Sequence, residues 1–237
     1  MSIGRAVARR RDTLRRSGAG GILDNWVGPE EAEAIREAVV AAEGATAGEI
    51  VPVLLSAADS YEVAYWKAAT LGCFVAELVA LLVWRLREAW TPAVGTVLLP
   101  GLAGALVAAL AVLLVPRLRP LIAGAEKVSE RTARRAREAF LAYELFRTVD
   151  RSGILLCVFR LERRVVVLAD SGIHAVASEG TWKQLADETA ARMRTDGSGP
   201  ALLAAVRRCA EILQERGLRR RPDDRNELGD ELRGDFR

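Results

Sequence analysis

Two apolar stretches, residues 68–84 and 93–115, constrain this chain more than any other feature. The first carries a single ionisable side chain, Glu77, and the second carries none. With residues 63–66 leading into the first, each is long enough, at about 1.5 Å per residue, to cross a hydrocarbon core roughly 30 Å thick. Only residues 85–92 separate them, so the sequence predicts an antiparallel transmembrane hairpin over 63–116, with spans at about 66–84 and 93–115. A link that short returns the chain to the side it left. The polar segments 27–62 and 117–217 can therefore belong to one domain that the hairpin interrupts.

The rest of the composition suits such a hybrid. Charged residues make up 27% and hydrophobic residues 51% of the 237 residues, and removing the hairpin leaves one domain of roughly 150 residues. Three cysteines without CxxC spacing, at 73, 157 and 209, do not form a disulfide framework. Orientation follows from the positive charges. Lys67, Arg117, Arg119, Lys127, Arg131, Arg134 and Arg135 flank the open end, against Arg85 and Arg87 at the turn, so the open end, both termini and the polar domain are expected in the cytoplasm, with the hairpin in the cell (inner) membrane. Trp66, Trp84 and Trp90 fall where interfacial aromatics belong.

Small residues at spacing four, Gly72, Ala76 and Ala80 in the first span and Gly101, Ala105 and Ala109 in the second, predict the surface on which the two helices meet, and leave association between copies open. Glu77 lies beside this stripe. An ionisable group in mid-span costs on the order of 3 kcal/mol on insertion scales, so it should be neutral, paired or turned toward protein, in helix or subunit association or in binding a partner. Residues 1–26 begin with an arm bearing Arg5, Arg9, Arg10, Arg11, Arg15 and Arg16. Next to a bilayer, anionic lipid headgroups explain such an arm more economically than nucleic acid does. Residues 218–237 form a polar tail.

Within the polar segments, Pro29 after Gly28 opens a helix with Ile35, Ala38, Val39 and Ala42 on one face. Residues 49–55 read as a strand, and Pro52 inside it, which cannot donate to a ladder, predicts an edge position or a bulge. A long helix is expected over 126–147, strands over 154–161 and 165–168 about a Glu162-Arg163 turn, and helices around Trp182–Met193 and Leu202–Leu213. This order suggests a small sheet covered by helices on both faces.

Reactive groups are sparse. One histidine, His174, leaves no two-histidine metal site. Ser152 and Ser171 lack the Gly-x-Ser-x-Gly setting of a nucleophile elbow, and the glycines of 18–21 lack the strand and the Lys-Ser/Thr of a phosphate loop. Asp59, Asp150 and Asp170 remain, each expected at a strand end. If those ends converge, their oxygens could hold a hard cation such as calcium or magnesium; otherwise they cap turns.

Several segments together resemble a family: Thr46-Ala47-Gly48-Glu49-Ile50-Val51-Pro52-Val53, Asp59-Ser60-Tyr61, Arg147-Thr148-Val149-Asp150-Arg151-Ser152-Gly153, Glu162-Arg163-Arg164-Val165, Ala169-Asp170-Ser171-Gly172-Ile173, and the late Pro222-Asp223-Asp224-Arg225-Asn226-Glu227-Leu228. In this combination the chain is similar to the TPM domain, in its bacterial membrane-bound branch with a helical hairpin inserted. The resemblance implies an α/β/α sandwich and, in some members, an acidic calcium pocket or an acid phosphatase activity. Asp59, Asp150 and Asp170 fall within the matching segments. Two functions follow as expectations: a membrane-tethered module that binds other membrane proteins during assembly, repair or turnover, or a metal-assisted phosphatase acting on phosphomonoesters.

Overall fold

The structure is a computed structural model that describes residues 27–86, 94–218 and 228–234. The basic arm, most of the hairpin turn including Trp90, and the Pro222–Glu227 part of the late motif lie outside the described residues. The described residues divide into two compact units, one within residues 59–131 and one formed by the rest.

In the larger unit, α1 (Pro29–Ala45) starts on Pro29 with Glu30 and Glu31 in its first turn, and the Glu31 carboxylate accepts the Gly28 N–H at 3.0 Å. Both features suit a helix N-terminus, where N–H groups have no partner in the helix. Strand β1 (Glu49–Leu55) pairs in parallel with β2 (Gly153–Phe159), which pairs antiparallel with β3 (Arg164–Ala169). The sheet order β1-β2-β3 puts Pro52 on an edge strand, as its missing donor requires.

Alternation along the strands divides the core in two. Ile50, Leu54, Ile154, Leu156 and Val158 face α1, α7 (Glu179–Thr195) and α8 (Ser198–Glu215), against Ile35, Trp182 and Leu202 among others. Val51, Val53, Leu55, Leu155, Cys157 and Phe159 face the opposite way, onto Ala136 and Ala139 of the helix over residues 125–142 and onto Leu145. Helices thus cover both faces of a small mixed sheet. Two boundaries differ from the expected ones. The long helix stops at Ala142, and Glu144 turns left-handed (φ 56°) into a 3-10 turn at Leu145–Arg147. Residues 228–234, part of the expected polar tail, return to the sheet: the Arg233 N–H donates to the Pro52 carbonyl at 3.0 Å and the Leu54 N–H to the Arg233 carbonyl at 2.8 Å.

The smaller unit is built on α2 (Glu62–Leu86) and α3 (Val94–Leu114), with the short α4 (Leu118–Ala123) and the start of α5 (Ala125–Ala142). Gly72 lies against Gly104 and Ala108, and Gly101 lies against Cys73 and Glu77, so the two helices run antiparallel. α2 is long and apolar enough to cross a membrane; in α3, residues 98–114 form a shorter apolar helix.

Candidate functional site

The three strand-end aspartates do not assemble into a cation pocket. Parallel pairing of β1 with β2 sends the chain out of β1 at Leu55, beside Phe159, whereas Asp150 and Asp170 flank Gly153 and Ala169 at the other end of the sheet. Asp170 caps the four-residue α6 (Ser171–His174): its Oδ1 accepts the Ser171 N–H at 2.7 Å, and its Oδ2 lies 3.5 Å from Arg151 Nε. Asp59 accepts the Ser60 N–H at 2.7 Å and pairs with Arg131 at 3.1 Å. The Asp150 side chain is exposed, while its backbone carbonyl sits so close to Gly172 that a Cβ there would collide with it. Arginines and turn N–H groups supply the positive partners of Asp59 and Asp170, and among the described residues no three His, Cys, Asp or Glu side chains gather to hold a metal ion.

Nor does a nucleophile stand out. His174 is exposed at the end of α6. Cys209 is fully buried, and burial pushes its thiol up to about 12, far from the thiolate that reactivity needs.

Between the two apolar helices, Glu77 finds the partner its position demands: its Oε1 accepts the Gly101 N–H at 3.2 Å. Pro100 precedes that glycine inside α3. A proline ring cannot continue the regular hydrogen-bond ladder and disturbs the carbonyl four residues back. The absence of a side chain on Gly101 lets the carboxyl approach, since a Cβ there would stand 2.5 Å from Oε1. Gly72, Ala76 and Gly101 of the expected stripe lie in this seam, joined by Gly104 and Ala108, which the spacing-of-four reading missed. Ala80, Ala105 and Ala109 are half-buried. A strict step of four drifts around a helix of 3.6 residues per turn, and the seam in α3 instead steps by three and then four.

A third cluster went unread in the sequence because one of its members, Asp230, lies far from the other two along the chain. Glu43, in the last turn of α1, and Glu49, at the start of β1, are both buried. Glu43 Oε1 accepts the Ile50 N–H at 3.0 Å, and Glu49 Oε2 accepts the Leu228 N–H at 3.4 Å. Burial, then the neighbouring Glu49 charge, push the Glu43 carboxyl up to about 9, the Ile50 N–H working the other way and a hydrogen bond with Asp230 adding to the rise. At neutral pH Glu43 therefore holds a proton, which it can donate to Asp230. The available signal was Glu43 itself, a charged residue on the buried face of an amphipathic helix.

The fold is shared with a solved bacterial protein. The NMR structure of BA42 protein from the psychrophilic bacterium Bizionia argentinensis is similar over 88% of this chain and 95% of that one, with a TM-score of 0.52 and 16% identity. No family model and no curated protein matches the chain.

Proposed function

We propose that this chain is a membrane-tethered binding protein: the α2–α3 hairpin sits in the bilayer with its open end in the cytoplasm, and the α/β unit, of the TPM domain type, engages other membrane proteins. The observation that carries the reading is the outward surface of the hairpin. Leu71, Phe74, Leu78 and Leu82 on α2, and Leu102, Leu106 and Val107 on α3, are all more than half exposed, while small residues and Glu77 occupy the seam. Water penalises such a surface by about 25 cal/mol per Å², whereas lipid accepts it. The charge asymmetry supports the orientation. Binding is favoured over phosphate chemistry because two of the three aspartates that could have held a catalytic cation, Asp59 and Asp170, are engaged by arginine and turn N–H groups.

The test is topological. With Cys73, Cys157 and Cys209 replaced, a membrane-impermeant thiol reagent applied to intact cells should label Trp90→Cys and spare Arg225→Cys. The reverse pattern inverts the orientation. Equal labelling of a fraction that washes off the membrane removes the anchor.

A further inference from the structure

β1 has an outer edge, and its row of backbone groups is accounted for in an unusual way. Glu49 donates inward, to Ser152, so Ile50, Pro52 and Leu54 turn their backbone groups outward. The Ile50 N–H is capped by the Glu43 carboxyl, and Pro52 has no N–H. That leaves Leu54 as the only outward donor in the row able to meet an added strand, with the Pro52 carbonyl as its companion acceptor. Residues 228–234 fill this pair in parallel orientation. Side chains add specificity on both faces of the sheet: Leu228 packs on the cluster that contains Val51, and Leu232 on the one that contains Ile50. At the end of the segment Tyr143 acts twice, its hydroxyl donating to the Gly234 carbonyl at 2.7 Å and its ring lying 4.8 Å from the Arg233 guanidinium carbon.

Main-chain pairing with β1 amounts to a single bridge with two hydrogen bonds, a light attachment for a strand even with the side-chain contacts at Glu43, Glu49 and Tyr143, and of the kind that opens locally below global unfolding. We propose that the outer edge of β1 is a strand-docking site for an extended Leu-x-x-x-Leu-Arg-Gly segment, which residues 228–234 fill in cis and which the same segment of a second copy fills in trans. The second copy is the occupant because its segment carries every group the edge reads. Residues 219–227 also supply a tether of roughly 30 Å when extended, enough to leave one edge for another. Main-chain pairing supplies affinity and the alternate side chains supply selection, as in β-strand addition generally. The inference stands whether or not the hairpin crosses a membrane.

The experiment uses the full chain in detergent and a labelled synthetic peptide of residues 226–237. In the wild type the tethered segment, at the high effective concentration of a short linker, competes with the peptide. Arg233→Pro removes the N–H that reaches Pro52, so the variant should bind the peptide at least ten-fold more tightly than the wild type, and neither should bind a peptide carrying the same Arg233→Pro change. Tyr143→Phe, a milder change that keeps the ring and drops the Gly234 contact, should give a gain of a few-fold. In mixtures of differently tagged chains, Arg233→Pro should capture the wild type more than it captures itself. Equal peptide binding by wild type and both variants, binding by none of them, or capture of wild type and variant alike would overturn the proposal.

Discussion

The α/β unit and the hairpin unit place the same kinds of residue in opposite positions. In the first, Ile50, Leu54, Ile154, Leu156 and Trp182 are buried, and charged side chains such as Glu33, Arg36 and Arg208 face out. In the second, leucines and Phe74 face out, and the seam between α2 and α3 is lined by glycine, alanine, Cys73 and one carboxyl group. With the hairpin in lipid, as proposed, the contrast marks two sources of cohesion. Where water is the surrounding medium, burial of large apolar side chains drives assembly. Where the surroundings are as apolar as the helices, close backbone approach and polar contacts across the seam take over.

The sharpest way to break this comparison is to truncate one leucine in each unit. Leu156→Ala should destabilise the α/β unit by roughly 2–5 kcal/mol, as a cavity in a packed core does. Leu78→Ala should change the thermal midpoint of the hairpin in detergent hardly at all, within about 0.5 kcal/mol. Equal losses at the two sites would mean that both units are held by the same core physics. Urea titration of the first variant and thermal unfolding of the second, followed by circular dichroism, supply the measurements.

An effect that depends on pH is expected from the buried carboxyls of the α/β unit. Glu43 is an acid whose folded-state pKa lies above its unfolded value, so the folded state holds the extra proton between about pH 4.5 and 9. Its contribution to stability is full below that window and declines as pH rises through it, by up to about 1.4 kcal/mol per unit. Glu43→Gln keeps an oxygen for Ile50 and an N–H for Asp230 while removing the titration. It should be more stable than the wild type at pH 8, with a flatter dependence of denaturation midpoint on pH. Glu49 and Asp230 face the same group and raise it, against the Ile50 N–H. An unchanged pH profile in the variant would show that Glu43 is ionised in the folded protein.

The smallest effect belongs to the seam of the hairpin. Polar contacts between helices in lipid average about 0.6 kcal/mol, so Glu77→Leu, which leaves the Gly101 N–H without its partner, should lower hairpin stability in detergent by that order. Glu77→Gln retains an acceptor and should lie closer to the wild type. A larger loss for Gln than for Leu would assign Glu77 a role that depends on its charge rather than on the Gly101 bond.

Much of the fold was legible because its signals are local. Pro29 marked the start of α1, Pro52 marked β1 as an edge strand, and the β-branched and leucine-rich runs on either side of Glu162 and Arg163 marked β2 and β3. The choice between an aspartate pocket and turn caps stayed open for a nonlocal reason. Strand ends converge or diverge according to whether neighbours run parallel, and nothing in the residues around Asp59 or Asp150 encodes that choice. The Glu43, Glu49 and Asp230 cluster escaped for the same reason, since a tail residue reaches it only after the sheet has formed. The helix seam was legible in part: small residues announced a close approach, and the contacts of Gly104 and Ala108 had to come from the paired helices.

The insertion of the hairpin between β1 and β2 also governs the order of events at the ribosome. β1 is made early, yet its parallel neighbour follows only after roughly a hundred further residues, a delay of about 5–20 s at ordinary rates of synthesis. During that interval the strand has no sheet to join, and unpaired strands invite association with other chains. Pro52 withholds one donor and Glu43, already synthesised, can occupy another, so the nascent strand offers strangers a poor template while the hairpin is being made.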